Sequence, residues 1–342
     1  MSTYSSAIGL PSPPLSAQGP TTAHGLAWGL VGVIAFSFTV PFTRITVGDT
    51  GGAGLDPLFV GCGRAVIAAA LAAVVLIAVG APLPTRRQLC RLVPVSAGVV
   101  AGFPILTSLA MQRTTAGHAA VVIGLLPAAT AVVAVLLTGE RPSSRFWLGA
   151  ALGVGATVVF SLLAHGGSVG SRPGVADVLL GAAVVLGAIG YAQGGLMSRE
   201  LGSWQTICWA LVLAAPVMVA VSAVSVATHP PHAGAGQWLA FAYLAGVSMF
   251  LGFFAWYRGL AIGPITTVSQ IQLVQPVLSV GWAVAMLGEH LTVPLVVGGC
   301  AVIACAAITV RSRVTPTPRQ RECPKSSRQP SSTRTTSTRT PR

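Results

Sequence analysis

Residues 127–140 read PAATAVVAVLLTGE, and residues 276–289 read PVLSVGWAVAMLGE. Both stretches open on a proline, Pro127 or Pro276, and continue through apolar residues. Both close on Gly-Glu: Gly139-Glu140 in one, Gly288-Glu289 in the other. The offset is 149 residues, and it extends further, since Gly149 matches Gly298. An apolar run ended by glycine reads as a helix whose last turn closes in the left-handed conformation. The glutamate that follows suits the start of the next helix, where its charge meets the positive end of the helix dipole. Equal intervals on similar hydropathy profiles mark an internal repeat.

Working outward from these two stretches, apolar runs alternate with short polar breaks along most of the chain. Helices are expected near 25–43, 57–79, 92–110, 116–137 and 146–163, then near 175–195, 204–227, 237–256, 264–287 and 293–310. Each run is close to the roughly 20 residues that cross a bilayer as a helix. Composition agrees. Hydrophobic residues make up 53% of the chain and charged residues 8%, and mean hydropathy is +0.77. A soluble domain carries about 25% charged residues. So little charge cannot cover a water-facing surface, and lipid must solvate the exterior. Helices rather than open strands follow, because a helix satisfies its own backbone hydrogen bonds in hydrocarbon.

The fold class expected is therefore an all-α integral membrane protein of ten transmembrane helices, arranged as two inverted five-helix repeats. The repeats occupy 25–163 and 175–311. Residues 1–23 are rich in Ser, Pro and Thr, lack the ordered regions of a secretory signal, and read as a disordered cytoplasmic tail. Residues 312–342, rich in Arg, Ser, Thr and Pro, read as a second one.

The net charge of +13 suggests nucleic acid until its distribution is examined. Nine of the twenty basic residues lie at or beyond Arg311, and the others fall mostly in short loops. With the N-terminus in the cytoplasm, the inner loops carry Arg86, Arg87, Arg91, Arg141, Arg145, Arg199 and Arg258. The outer loops carry Arg44, Arg113 and Arg172. That asymmetry is the positive-inside pattern, with both termini cytoplasmic and an even number of spans at the cell (plasma) membrane. One lysine against nineteen arginines, amid abundant Ala, Gly and Val, suggests a bacterial genome rich in G and C. The partners expected are a small-molecule substrate and membrane lipids, with no nucleic acid, no cofactor and no metal; the chain is expected as a monomer or homodimer.

Five spans per half is an odd number, so the second copy enters the membrane upside down. Inverted repeats characterise secondary transporters, in which two similar packings exchange roles to open one site to alternate sides. No phosphate-binding loop is present for direct use of ATP. The six cysteines form no CxxC pair and read as apolar packing residues.

Two stretches carry a family resemblance. The run Leu251-Gly252-Phe253-Phe254-Ala255-Trp256-Tyr257-Arg258-Gly259-Leu260 resembles the eighth helix of the EamA-like family of the drug/metabolite transporter superfamily. So does the stretch from Gln275-Pro276 through Leu287-Gly288-Glu289-His290-Leu291-Thr292. Leu126-Pro127 and Thr138-Gly139-Glu140-Arg141-Pro142 look like its diverged first copy. The resemblance covers about residues 25–311. It implies ten helices in two inverted domains around a central cavity, and a small metabolite as cargo, often exported.

Polar residues inside the spans are the candidate substrate contacts. On the ninth helix Ser269, Gln272, Gln275 and Ser279 recur at three- and four-residue spacing and share one face. Such a stripe avoids lipid, so it either joins helices or lines an aqueous cavity. Pro276 removes a backbone donor beside it, as at the broken helices of transporters. Arg64 lies about two turns inside the second helix, where a charge costs roughly 2.5–3.5 kcal/mol on insertion scales. It reads as an anchor for an anionic or zwitterionic substrate, or else as a group that snorkels outward or pairs with Asp49 or Asp56. His118, at the start of the fourth helix, reads as a proton-coupling group or as a structural donor. Tyr191 and Gln193 on the sixth helix, with Ser37 and Thr39 on the first, are further candidates because the resemblance puts those helices around the cavity. Pro41 reads as a hinge or as helix-end punctuation.

Other patterns point to rival classes. Gly166-Gly167-Ser168-Val169-Gly170 matches the G-x-S-x-G elbow of serine hydrolases but falls in a loop between spans, away from the strand-to-helix turn that chemistry requires. His229 and His232 bracket two prolines, and no third ligand is evident. An intramembrane enzyme would need convergent acids at membrane depth, whereas the seven acidic residues lie almost all at helix ends or in loops. A scaffold or sensor is the remaining alternative. The pairs Gly98/Gly102 and Gly149/Gly153 read as close-packing sites between helices.

Overall fold

The computed structural model describes residues 20–48, 54–139, 143–164, 174–262 and 268–312. Among them are nine helices long and apolar enough to cross a membrane, and one shorter apolar helix. In chain order these are α1 (Ala23–Val47), α2 (Pro57–Val79), α3 (Arg86–Met111), α4 (Ala116–Thr138), α5 (Ser144–Leu163), α6 (Val175–Glu200), α7 (Ser203–Thr228), α8 (Ala235–Ile262), α9 (Ile271–Leu287, the shorter one) and α10 (Val293–Ser312). No strand occurs among the described residues.

Local chemistry sets the ends. Asp56 caps α2 by accepting from the backbone N–H groups of Leu58 and Phe59, and Pro57 fills the first helical position. α3 begins six residues earlier than expected from hydropathy. Thr85 and Gln88 form a reciprocal capping box that starts the helix in its charged, water-facing turn. Gly139 and Gly288 close α4 and α9 at φ of +68° and +65°, a conformation that costs glycine nothing.

The packing follows the repeat. α1 lies against α8 and α3 against α6, while α2 pairs with α7, α4 with α9 and α5 with α10. Exchanging the two halves maps the first two pairs onto each other and each of the others onto itself. The internal irregularities match too. Ser96–Gly102 in α3 and Leu244–Leu251 in α8 are both wound as π-helix, and an offset of 149 superposes them to within a residue. α4 breaks at Gly124–Leu125 ahead of Pro127. α9 is preceded and begun by a 3-10 turn, Ser269–Val274, ahead of Pro276.

Small residues bring the backbones together. A methyl placed on Gly98 would lie 2.2 Å from the Leu186 carbonyl oxygen, so α3 meets α6 backbone to backbone. Gly149 touches Thr309, and Gly153 lies beside Cys305, on the α5–α10 contact. Cys62 and Cys208 are buried, whereas Cys90 and Cys300 are exposed. Many large apolar side chains face outward, among them Ile77, Leu152, Val178 and Val297. Lipid is the solvent that makes such a surface stable.

Candidate functional site

Proline shapes the middle of the bundle. Pro276 cannot donate to the carbonyl of Gln272, and that carbonyl accepts instead from Gln275 N–H, one residue early, which tightens the turn to 3-10. Pro41 likewise leaves the carbonyl of Ser37 without its helical donor. The hydroxyl of Ser279, on α9, fills the vacancy at 2.8 Å. Ser37 Oγ donates to the Ile34 carbonyl and accepts from Trp282 Nε1 at 3.0 Å. The broken first helix is thereby joined to the ninth by hydrogen bonds between the two halves.

Three narrow cavities adjoin here, with shared walls. The central one, about 30 Å³, is lined by Thr39, Arg64, Tyr191, Ser248 and Gln275 among apolar residues that include Phe36, Phe253 and Met249. A second, about 80 Å³, is lined by Thr130, Thr138, Tyr191, Trp256 and Gln272. A third, about 10 Å³, lies among Pro127, Gln272, Gln275, Pro276 and Ser279. Tyr191 separates the first two, while Gln272 and Gln275 connect the third to both. A water needs about 10–15 Å³ of such space, so the conformation is contracted, with room for a few waters at most in each.

The polar walls are incompletely satisfied. Among the described residues, Arg64 Nε, Thr130 Oγ1, Trp256 Nε1, Gln272 Nε2 and Gln275 Oε1 are buried without a hydrogen-bond partner. Each such group costs about 1–3 kcal/mol unless something occupies it. Thr39 and Ser248 satisfy each other through a 2.7 Å hydroxyl contact. Tyr191 packs in an aromatic cluster with Phe36, Phe253 and Trp256.

Arg64 is 2% exposed, so its head group does not snorkel to the interface. Asp56, one of its two possible partners, caps α2 through Oδ2, which also accepts the Ser225 hydroxyl at 2.6 Å, and makes no ion pair with Arg64. The other, Asp49, lies outside the described residues, as do Glu140 and the loop carrying Gly166–Gly170. The same holds for the side chain of Ser269. Gln193 is buried but forms no part of the three cavity walls. His229 and His232 occupy a surface turn and bond locally to Thr228 and to the Pro230 carbonyl.

Two contacts across the repeats escape a sequence reading. His118 is buried, and its Nε2 meets Asp177 Oδ1 of α6 at 2.7 Å, with the ring against Phe160. Asp177 also caps its own helix by accepting from Gly174 N–H. The lone acid in the first turn of α6 was the signal available for this pair. The carboxylate of Glu289 does not serve the following helix, which Thr292 caps. It reaches α4 and accepts from the N–H groups of Ala116 and Gly117, each at 2.7 Å. A methyl on Gly117 would lie 2.9 Å from that carboxylate, so glycine permits the approach. Two charge-assisted bonds at a helix N-terminus make a strong intramolecular clasp.

A more spacious hollow lies elsewhere. A groove of about 610 Å³ opens sideways among α4, α5 and α6, walled by Val122, Val154, Val158, Val178 and Val185. Its apolar walls suit lipid hydrocarbon. Thr157, Ser161 and Asp177 are the polar part of its lining, whereas Arg64, Gln272 and Gln275 line the three smaller cavities.

Comparison with known proteins agrees with this architecture. The sequence profile of the EamA-like transporter family matches residues 23–162 and again 175–311. The chain is 42% identical over 290 residues to an uncharacterized transporter, YdeK, of Bacillus subtilis (strain 168), an alignment covering 85% of this chain and 98% of that protein. It is 26% identical over 283 residues to a probable terminal-alkyne amino-acid exporter of Streptantibioticus cattleyicolor, covering 81% of this chain and 90% of the relative. A solved structure described only as "Crystal structure of protein" shares the fold at a TM-score of 0.58 and 20% identity, over 85% of this chain and 99% of the other. The profile spans both repeats and nearly every described helix. This integral membrane protein belongs to the EamA-like transporter family of the drug/metabolite transporter superfamily.

Proposed function

We propose that the chain is a secondary transporter that exports a small polar, amino-acid-like metabolite across the plasma membrane by alternating access. In this reading α9 completes a tenth span, the five-helix repeats are inverted, and both termini lie in the cytoplasm. The observation that carries it is the set of three adjoining cavities between the halves, whose buried polar atoms lack partners. Membrane-depth polar groups left open in this way await a polar guest. The walls come from helices broken at matched prolines, where the two halves can shift against each other.

The contracted volumes support a moving mechanism, because a metabolite enters only if helices separate. Repeat-related packing offers two equivalent ways to separate them, one toward each side of the membrane. An amino-acid-like cargo is favoured by the 26% identical relative, whose name is that of an amino-acid exporter. Thr39, Arg64, Tyr191, Gln272 and Gln275 are the proposed contacts. His118 is hydrogen-bonded to Asp177 in a buried contact at the start of α4, and its proposed role is coupling the movement of α4 to that of α6.

The test is metabolite profiling of cells and medium with and without expression, with a Gln272→Ala/Gln275→Ala variant at matched membrane abundance. A compound that accumulates outside only with the wild type supports the reading. Equal profiles in all three strains, from protein shown to be folded in the membrane, count against it.

A further inference from the structure

Arg64 poses a problem that the general reading leaves open. Its side chain is among the largest fully buried ones in the molecule, and it lies well inside a membrane helix. A guanidinium there normally has a carboxylate beside it. Neither the Arg91–Glu200 ion pair nor the His118–Asp177 contact seen among the described residues involves it, and Nε is bonded to nothing. Asp56 makes its bonds through Oδ2, to Leu58, Phe59 and Ser225, and forms no ion pair with Arg64. The central cavity that Arg64 lines has no acidic residue in its wall. A buried, unneutralised cation facing a cavity is a site for an anion.

The rest of the wall narrows the kind of anion. Phe36, Phe103, Phe253, Met249 and Val99 provide an apolar, largely aromatic surface, which suits an organic body better than a hydrated inorganic ion. Gln275 faces the same cavity, is 7% exposed, and holds an unpartnered Oε1. The wall thus offers an open cationic donor and an open neutral acceptor. Arginine also suits the planar geometry of a carboxylate, which it can hold with two parallel bonds.

Resting on the transporter reading above, we propose that Arg64 is the substrate's counter-ion, and that the central cavity selects small organic carboxylates with a hydrogen-bond donor for Gln275. α-Amino and α-hydroxy acids both meet that description. Compounds without a carboxylate leave the cation unpaired and are excluded. The site binds the substrate from one half, through α2, and from the other, through α9, so occupancy ties the halves together around the cargo.

The experiment uses the full chain in proteoliposomes loaded with a small-molecule extract of the expressing cells. The extract is supplemented with a matched set: L-leucine, 2-hydroxy-4-methylpentanoate, 4-methylpentanoate and leucinol. Mass spectrometry identifies what leaves. For the wild type, the expectation is that released compounds carry a carboxylate and that leucinol stays inside. Arg64→Gln, checked for monodispersity and thermal midpoint, is expected to lower that release by about tenfold or more, with Arg64→Lys between. Gln275→Leu keeps the cation, and is expected to reduce release of the amino and hydroxy acids relative to 4-methylpentanoate. If Arg64→Gln does not fold, the wild-type comparison of leucine with leucinol and the Gln275→Leu variant decide. Release of leucinol or other compounds without a carboxylate at rates like that of leucine, or full activity in Arg64→Gln, overturns the proposal while leaving the transporter reading intact. Release of nothing at all by folded wild-type protein overturns both.

Discussion

At matched positions α4 carries Ile123, Leu126 and Thr130 where α9 carries Gln272, Gln275 and Ser279. Yet both helices change course just ahead of a proline, and both end on a left-handed glycine. Their backbones are copies and their side chains are not. The duplicated features are mechanical: the proline breaks, the glycine ends and the π-helical turns of α3 and α8. The chemistry that faces the cavity is concentrated in one copy of the pair. This division fits the alternating access proposed above, with one site opened to two sides. Under that proposal movement is equivalent on both sides, whereas a small asymmetric guest needs only one set of contacts.

The comparison can be broken most severely where a repeat-specific contact holds backbones together. Gly98→Ala places a methyl against the Leu186 carbonyl oxygen and is expected to cost about 3 kcal/mol or more, read as lost folded yield and a lower thermal midpoint. Gly246→Ala, in the matching π-helical turn of α8, meets open space and is expected to change stability by less than about 0.5 kcal/mol. Equal effects would mean that the two turns are under the same constraint.

Next in size is the lining. Gln272→Ala/Gln275→Ala is expected to lower export about tenfold or more at matched abundance, the scale of two lost neutral hydrogen bonds. Ile123→Val/Leu126→Met, at the equivalent places of α4, is expected to lower it less than about threefold. A larger loss from the α4 variant would show that both helices read the substrate.

Glu289→Gln keeps the shape of the clasp on α4 and removes its charge. It is expected to cost about 1–2 kcal/mol, seen as a thermal midpoint a few degrees lower. Unchanged stability would demote the clasp to an incidental contact. The smallest effect belongs to Pro41→Ala. The restored N–H competes with Ser279 for the Ser37 carbonyl, and a change within about 1 kcal/mol is expected, of either sign.

Much of the frame was legible in the sequence because it is written in short-range terms. The prolines, the Gly-Glu pairs and the polar stripe on α9 all have local meanings, and the 149-residue offset relates them. Helix ends shifted where polar capping outweighed hydropathy, as at Thr85–Gln88. The cross-repeat contacts were illegible for a physical reason. Glu289 finds Ala116 across 173 positions, and His118 finds Asp177 across 59, through packing that no periodicity encodes. Ser248 was missed as well, since one serine in an apolar helix looks like filler until Thr39 is seen opposite. The π-helical turns have no compositional signature at all.

The distribution of thiols provides a native reporter of orientation. Cys62 and Cys208 are shut inside the protein, and Cys300 is exposed in the middle of an apolar span, away from water. Among the described residues, Cys90, in the first turns of α3 beside Arg91, is the exposed thiol at a polar helix end. With Cys323, which lies outside the described residues, replaced by serine, a charged, membrane-impermeant maleimide therefore reads the sidedness of α3. Intact cells that leave the protein unlabelled, and inverted vesicles that label it, would put that helix end in the cytoplasm.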